Sequence, residues 1–210
     1  MIVEQYGVKY YRVKEEDIEL IRYWRNQPFI RNIMQFKEII TSEMQQVWFR
    51  KVNNKYNYYF IIEVDGNKIG LINCKDTEPN TRIAEGGIFL WDKKYWGSPV
   101  ASFAALTTLQ CVFEIFKSGD ASVATVAKNN FQALDFNKKL GYQIIGETAD
   151  GNFYKVFLTK ENYFQKTIKL KKAAELYHSG NAEIKITLDE DEYPLVADEI
   201  ITYVKSHKFI

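Results

Sequence analysis

The chain's most informative stretch for chemistry runs from Arg82 to Phe116. A β-rich run, Arg82 to Trp91, is interrupted by Gly86 and Gly87. Paired glycines inside a strand predict a bulge, or a place where a ligand or another backbone comes close. Trp91-Asp92-Lys93-Lys94-Tyr95-Trp96-Gly97-Ser98-Pro99 then leads into a long helix. Ser98 suits an N-cap and Pro99 suits the first helical position. First-turn N–H groups are unpaired and carry partial positive charge, so such a junction can hold a phosphate or pyrophosphate. A Gly-Ser-Pro start also serves capping alone, and the pattern by itself leaves both readings open. Cys74 and Cys111 lie far apart with no His close in sequence, which fits neither a metal site nor a disulfide framework. Cys111 sits in an apolar helical run and reads as a small core hydrophobe. His178 and His207 are expected at the surface.

These residues need elements to position them. Residues 8 to 13 alternate like a first strand, and Glu15, Glu16 and Asp17 then open a helix. Ile18, Ile21 and Trp24 continue it at helical spacing, and Pro28 ends or kinks it. A second helix is predicted to start near Ser42, with Gln45 in capping-box spacing and Met44, Val47 and Trp48 as its apolar stripe. Tyr58 to Val64 and Ile69 to Asn73 flank Asp65-Gly66, a strong hairpin signal. After the buried helix that ends near Phe116 come a strand at Ser122 to Ala127 and a helix from Asn129 to Leu140, stopped by Gly141. Strands Tyr142 to Gly146 and Phe153 to Thr159 follow. The order predicts a mixed sheet with helices.

Bulk properties bound the function. The 210 residues suffice for one sizeable domain, or one domain plus an appendage, and 46% hydrophobic residues supply a core. The 14 Tyr and 14 Phe serve as bulky core and edge-strand filling, or line an aromatic substrate pocket. With 28 basic against 27 acidic residues, no large basic face for nucleic acid is expected. The N-terminus lacks the apolar run of a signal peptide, and no stretch reaches membrane-spanning length. A cytoplasmic setting, with no membrane and no metal, follows as the default.

Three segments together resemble the GNAT acetyltransferase superfamily, most of all its ribosomal-protein and amino-sugar N-acetyltransferase branch. The first is Trp24-Arg25-Asn26 followed by Ile30-Arg31. The second is Ala84-Glu85-Gly86-Gly87-Ile88-Phe89-Leu90 with Tyr95-Trp96-Gly97-Ser98-Pro99-Val100-Ala101-Ser102. The third is Asn130, Ala133 and Asn137-Lys138-Lys139-Leu140-Gly141-Tyr142. The resemblance covers about residues 8 to 160. It implies an α/β (α+β) GNAT fold, with a mixed, mostly antiparallel central sheet flanked by helices, over residues 1–165. It also implies that acetyl-CoA, as acyl donor, lies where two parallel strands splay apart.

Site roles follow from the same resemblance. Backbone groups of Phe89, Leu90 and Trp91 would bind the pantetheine arm. Trp96, Gly97, Ser98, Val100, Ala101 and Ser102 would surround the pyrophosphate. Asn130, Ala133 and Phe136 would pack along the cofactor. The loop departs from the family's R-G-x-G-x-G form: Trp96 replaces the Arg, and Pro99 and Ala101 replace glycines. Pro99 has no N–H to offer, so weaker or shifted CoA binding is expected. Asn137 stands where many members have a Tyr that protonates the departing thiolate. An amide can only orient the thioester or a water. The proton then comes from water or an unassigned side chain. The attacking amine must be neutral, and Glu85 is the candidate base, acting through water. Glu85 could equally pair with Arg82 or another cation. Arg25, Asn26 and Arg31 could hold an anionic acceptor, or serve helix capping and surface pairing.

The expected reaction is direct acetyl transfer to a small-molecule primary amine, with an amino sugar, free or nucleotide-linked, favoured. Alternatives are acetylation of a protein N-terminus, and a CoA-binding module without turnover. Beyond Lys166 the character changes. A basic helix with Lys166, Lys169, Lys171 and Lys172 is broken at Gly180-Asn181. Ala182 to Leu188 alternates like a strand, and Asp189-Glu190-Asp191-Glu192 opens a last helix. The basic and acidic blocks could pair, or form solvated faces. Residues 166–210 are left as an extension that forms an appendage, covers the acceptor site or mediates a homodimer.

Overall fold

The structure is a computed structural model that describes residues 1–75, 80, 82–117 and 119–207. Nine strands form one sheet in the order β7-β8-β6-β5-β4-β3-β2-β1-β9. They are β1 (Ile2–Gln5), β2 (Val8–Arg12), β3 (Tyr58–Val64), β4 (Asn67–Lys75), β5 (Ile83–Leu90), β6 (Ala121–Ala127), β7 (Gln143–Glu147), β8 (Phe153–Thr159) and β9 (Lys185–Thr187). Seven of the strand pairs are antiparallel, and β5 with β6 is parallel.

Side-chain alternation gives the sheet two apolar faces. Ile61, Leu71, Phe89 and Trp91 meet α1 (Ile18–Asn26), α2 (Pro28–Arg31) and α3 (Ser42–Val52) on one side. Phe60, Ile62, Ile72 and Ala84 meet α4 (Val100–Gln110) on the other. As its residue types predict, α4 is buried, with Phe103, Ala104, Leu106 and Leu109 inside. It runs on into a π turn, Cys111–Ile115, closed by the Phe116 amide on the Cys111 carbonyl at 2.7 Å.

The feature that positions the site is a fork. β5 and β6 pair only over Ile83↔Ala121, Ala84↔Ser122 and Glu85↔Val123. Beyond Glu85, β5 stays with β4 as far as Gly70↔Leu90, and β6 stays with β8 as far as Ala127↔Phe153. The two parallel strands therefore part, as the resemblance implies. The bulge expected at Gly86-Gly87 is absent: the β4–β5 register runs unbroken through Cys74↔Gly86 and Asn73↔Gly87. Close approach explains Gly87 instead, because an added Cβ would lie 2.7 Å from Asn73 Oδ1.

Other local readings shift. β1 was not anticipated. Thr41, not Ser42, caps α3, with the Met44 N–H donating to its Oγ1 at 3.2 Å. Ser42 Oγ donates instead to Glu19 Oε1 at 2.9 Å. The buried face of α3 also differs from the expected apolar stripe. Gln45 is buried while Met44 and Val47 are exposed. Ser98 and Pro99 likewise move out by one, since α4 starts at Val100 with Pro99 at the N-cap position.

At the C-terminal end, α6 (Lys160–Tyr177) starts earlier than the basic segment suggests. The expected last helix is split into a 3-10 turn, Glu190–Leu195, and α7 (Asp198–Ser206), with Val196 extended between them. The basic and acidic blocks do not pair with each other: Lys171 binds Glu114 at 2.7 Å, and Glu192 binds the Met1 ammonium. His207 is exposed, but His178 is half-buried against Phe103 at 4.9 Å and Tyr6 at 6.0 Å.

Candidate active site

A cavity of about 580 Å³ occupies the fork and reaches both faces of the sheet. Ile21, Arg25, Gln45, Trp48 and Tyr59 wall it on the α1–α3 side. Leu109, Val112, Ala133, Phe136 and Asn137 wall it on the α4 and α5 side, where α5 is Phe131–Leu140. One space therefore joins the groups of two separate helical layers. That is what a transfer between two ligands entering from opposite sides requires.

Glu85 stands at the closed end of the fork, where β5 and β6 make their last pair. Its carboxylate pairs with Lys75 Nζ at 2.9 Å and lies on the cavity wall. Arg82 is not its partner; that guanidinium binds Asp120. Asn130, Ala133, Phe136 and Asn137 all line the cavity. Asn130 Oδ1 accepts the Ala133 N–H at 3.1 Å and so caps α5. Asn137 Nδ2 donates to the Ala133 carbonyl at 2.8 Å, which ties its amide back to its own helix.

The β5 backbone divides by parity. The Trp91 N–H donates to Ile69 O at 2.9 Å, towards β4. Antiparallel alternation then turns the backbone of Phe89 towards β4 and that of Ile88 and Leu90 towards the open gap. Within Phe89–Trp91, Leu90 alone presents its backbone to the gap, and its carbonyl accepts Trp96 Nε1 at 3.0 Å. Phe89 contributes its ring to the cavity wall. Trp91 is a core residue: its indole donates to Lys68 O at 2.8 Å and stacks on Trp24 at 5.9 Å.

The loop residues Trp96, Gly97, Ser98, Val100, Ala101 and Ser102 stand apart from the cavity walls. Gly97 takes φ +75°, which favours glycine. Ser98 is occupied internally, its N–H on Tyr95 O at 3.2 Å and its Oγ on the same carbonyl at 2.7 Å. Ala101 and Ser102 keep the first-turn amides of α4. Of the residues expected at the acceptor, only Arg25 reaches the cavity. Asn26 clamps the segment that leads into α3, donating to Ile40 O at 2.9 Å and accepting the Ile40 N–H at 2.8 Å. Arg31 is off the wall, at the end of α2.

Sequence reasoning missed two features. Tyr142 reads in the sequence as the end of a helix motif and the start of a strand, with no site role. Gly141, at φ +101°, stops α5, and the Tyr142 N–H returns to Asn137 O at 3.0 Å. That turn sends the phenol back into the fork, 2.8 Å from Ser122 Oγ and beside Gly86. Burial pushes its pKa up to about 12, against the Ser122 hydrogen bond that lowers it, so the hydroxyl stays protonated. The second missed feature is Gln45, whose spacing suggests a cap and which lines the α1–α3 side of the cavity.

A family model described as the acetyltransferase (GNAT) domain matches residues 9–143. Spermidine N(1)-acetyltransferase of Escherichia coli (strain K12) is 23% identical over 145 residues, 69% of this chain and 72% of that protein. The spermidine N-acetyltransferase from Vibrio cholerae, solved with CoA and spermine, shares the fold with a TM-score of 0.66 at 19% identity, covering 75% of this chain and 98% of that one. Apo FdhC, a nucleotide-linked sugar GNAT, does so with a TM-score of 0.66 at 23% identity, covering 81% and 96%. Among the described residues no group of three or more His, Cys, Asp or Glu could hold a metal, and no helix is long and apolar enough to cross a membrane. The matched region runs from β2 to the start of β7 and contains the fork, α4 and α5. This chain belongs to the GNAT acetyltransferase family, as an N-acetyltransferase with acetyl-CoA as its acyl donor.

Proposed function

We propose that this chain transfers the acetyl group of acetyl-CoA directly to the primary amine of a small molecule, an amino sugar, free or nucleotide-linked, being the favoured acceptor. The observation that carries the reading is the single cavity that joins the fork to the α1–α3 face. The pantetheine arm would run along the open edge of β5, meeting the backbone of Ile88. The pyrophosphate would sit at the first turn of α4, near Ala101 and Ser102. The acceptor would enter between α1 and α3, where Trp48, Tyr59 and Phe89 offer aromatic walls suited to a sugar face.

The amine attacks only as the neutral form. Glu85 takes its proton, directly or through one water, and Lys75 keeps the carboxylate oriented at 2.9 Å. Asn137 holds the thioester side of the cavity and has no proton to give at neutral pH. The Tyr142 hydroxyl, still protonated and beside the fork's closed end, offers its hydrogen to the departing sulfur. Acetylation of a protein N-terminus is disfavoured by enclosure: residues 33–36 and 40 and helix α3 wall the acceptor side. Thiol release from acetyl-CoA tests the reading, with glucosamine, a nucleotide-linked amino sugar, spermidine and a short peptide as acceptors. Turnover is expected on the sugars and not on the peptide. Tight acetyl-CoA binding with no turnover on any amine overturns it.

A further inference from the structure

Resting on the acetyl-transfer reading above, we infer that Arg25 and Gln45 form a subsite for an oxyanion, a phosphate or a carboxylate, carried by the acceptor at a distance from its amine.

Two buried donors on neighbouring helices point to it. Arg25, near the end of α1, lines the acceptor half of the cavity. Its Nη1 is buried with no hydrogen-bond partner among the described residues, and its guanidinium lies over the Phe89 ring at 5.8 Å. Gln45, on α3, is 3% exposed and lines the same half, and its Nε2 is likewise buried without a partner among the described residues. Burying a charge or an amide unpaired is costly, so two such groups on one cavity wall imply a partner that arrives with the ligand. The other charges on the cavity wall are Lys75 and Glu85, which pair with each other at 2.9 Å. Among the described residues, the guanidinium is thus the charge on this wall without an ionic partner. An ionised oxyanion accepts from both donors at once, and Arg suits it in a two-pronged way. A polyamine brings only further positive charge to that wall, and like charges in a partly buried space repel.

The test uses one sugar skeleton with three endings: glucosamine 6-phosphate, 2-amino-2-deoxygluconate and neutral glucosamine, with spermidine as the cationic control. Direct titration of each into the full chain is read by calorimetry, separately from thiol release. Glucosamine 6-phosphate or the gluconate is expected to bind about tenfold or more tightly than glucosamine. Arg25→Met should abolish that advantage, Arg25→Lys should restore part of it, and Gln45→Met should reduce it with the melting temperature held. A phosphate caught by the α4 loop instead would bind Arg25→Met unchanged, which overturns the subsite. So would spermidine binding as tightly as either anion. Binding that follows the expected pattern with no acetyl transfer leaves the subsite standing and removes the acetyl-transfer reading. Preference for the phosphate over the carboxylate, or the reverse, identifies the oxyanion.

Discussion

At the scale of the residue, the proposed reaction divides the proton work of the fork between Glu85 and Tyr142. Glu85→Gln keeps the size and the Lys75 contact while removing the base. The expected loss in kcat/KM is about 100-fold at neutral pH, shrinking as the pH rises and free amine becomes abundant. A rate unaltered across pH excludes Glu85 as the base. Tyr142→Phe should lower kcat by about tenfold and leave acetyl-CoA binding unchanged. Because burial holds the phenol protonated up to about 12, no loss of rate between about pH 8 and 10 should trace to it. A limb in that range that disappears in Tyr142→Phe would show a free, acidic phenol instead. The place of Glu85 on β5 was legible because it follows from strand order. Tyr142 was not, since the direction of a residue after a helix stop depends on the left-handed turn at Gly141. Gln45 was obscured because apolar spacing assigns the buried face of α3 to Met44 and Val47, whereas packing against the cavity buries the polar Gln45.

At the scale of the element, the β5–loop–α4 unit was readable in outline and misread in detail. The Asp65-Gly66 hairpin and the buried character of α4 follow from local sequence. The absent bulge could not be read, because glycine serves close approach as well as irregular pairing, and only the neighbouring Asn73 decides between them. The same unit carries a device the sequence showed only as a substitution. Trp96 folds back and its indole N–H occupies the Leu90 carbonyl on the open edge of β5. That carbonyl is the kind of acceptor a pantetheine amide would use. Trp96→Phe keeps the ring contact with Phe29 at 5.9 Å and removes the competing donor. One neutral hydrogen bond is worth about 0.5–1.5 kcal/mol, so CoA affinity should rise by about two- to tenfold. Calorimetry with CoA reads it directly. A weaker affinity would mean that the indole contributes to the CoA site rather than competing with it.

At the scale of the whole molecule, the two ends of the chain meet on one sheet edge. β9 pairs with β1 over Ile2↔Thr187, Val3↔Ile186 and Glu4↔Lys185. Ile184, Ile186, Val196 and Ile200 join the same core as Val3, Tyr10 and Phe103. Sequence pattern showed a strand at 182–188 but not its partner, because pairing between residues so far apart leaves no local signature. The energetic consequence is large. Each buried aliphatic side chain contributes about 1.5–3 kcal/mol, so these four contribute about 6–12 kcal/mol. A domain's entire stability is about 5–15 kcal/mol. Deleting residues 182–210 should therefore unfold the chain or make it aggregate through the bared β1 edge, rather than merely slow catalysis. Circular dichroism melts of the full and shortened chains check this. A shortened chain that melts within a few degrees of the full one would show that the fork and its two helical layers stand without the C-terminal strand, and the last segment would then need a role other than completing the sheet.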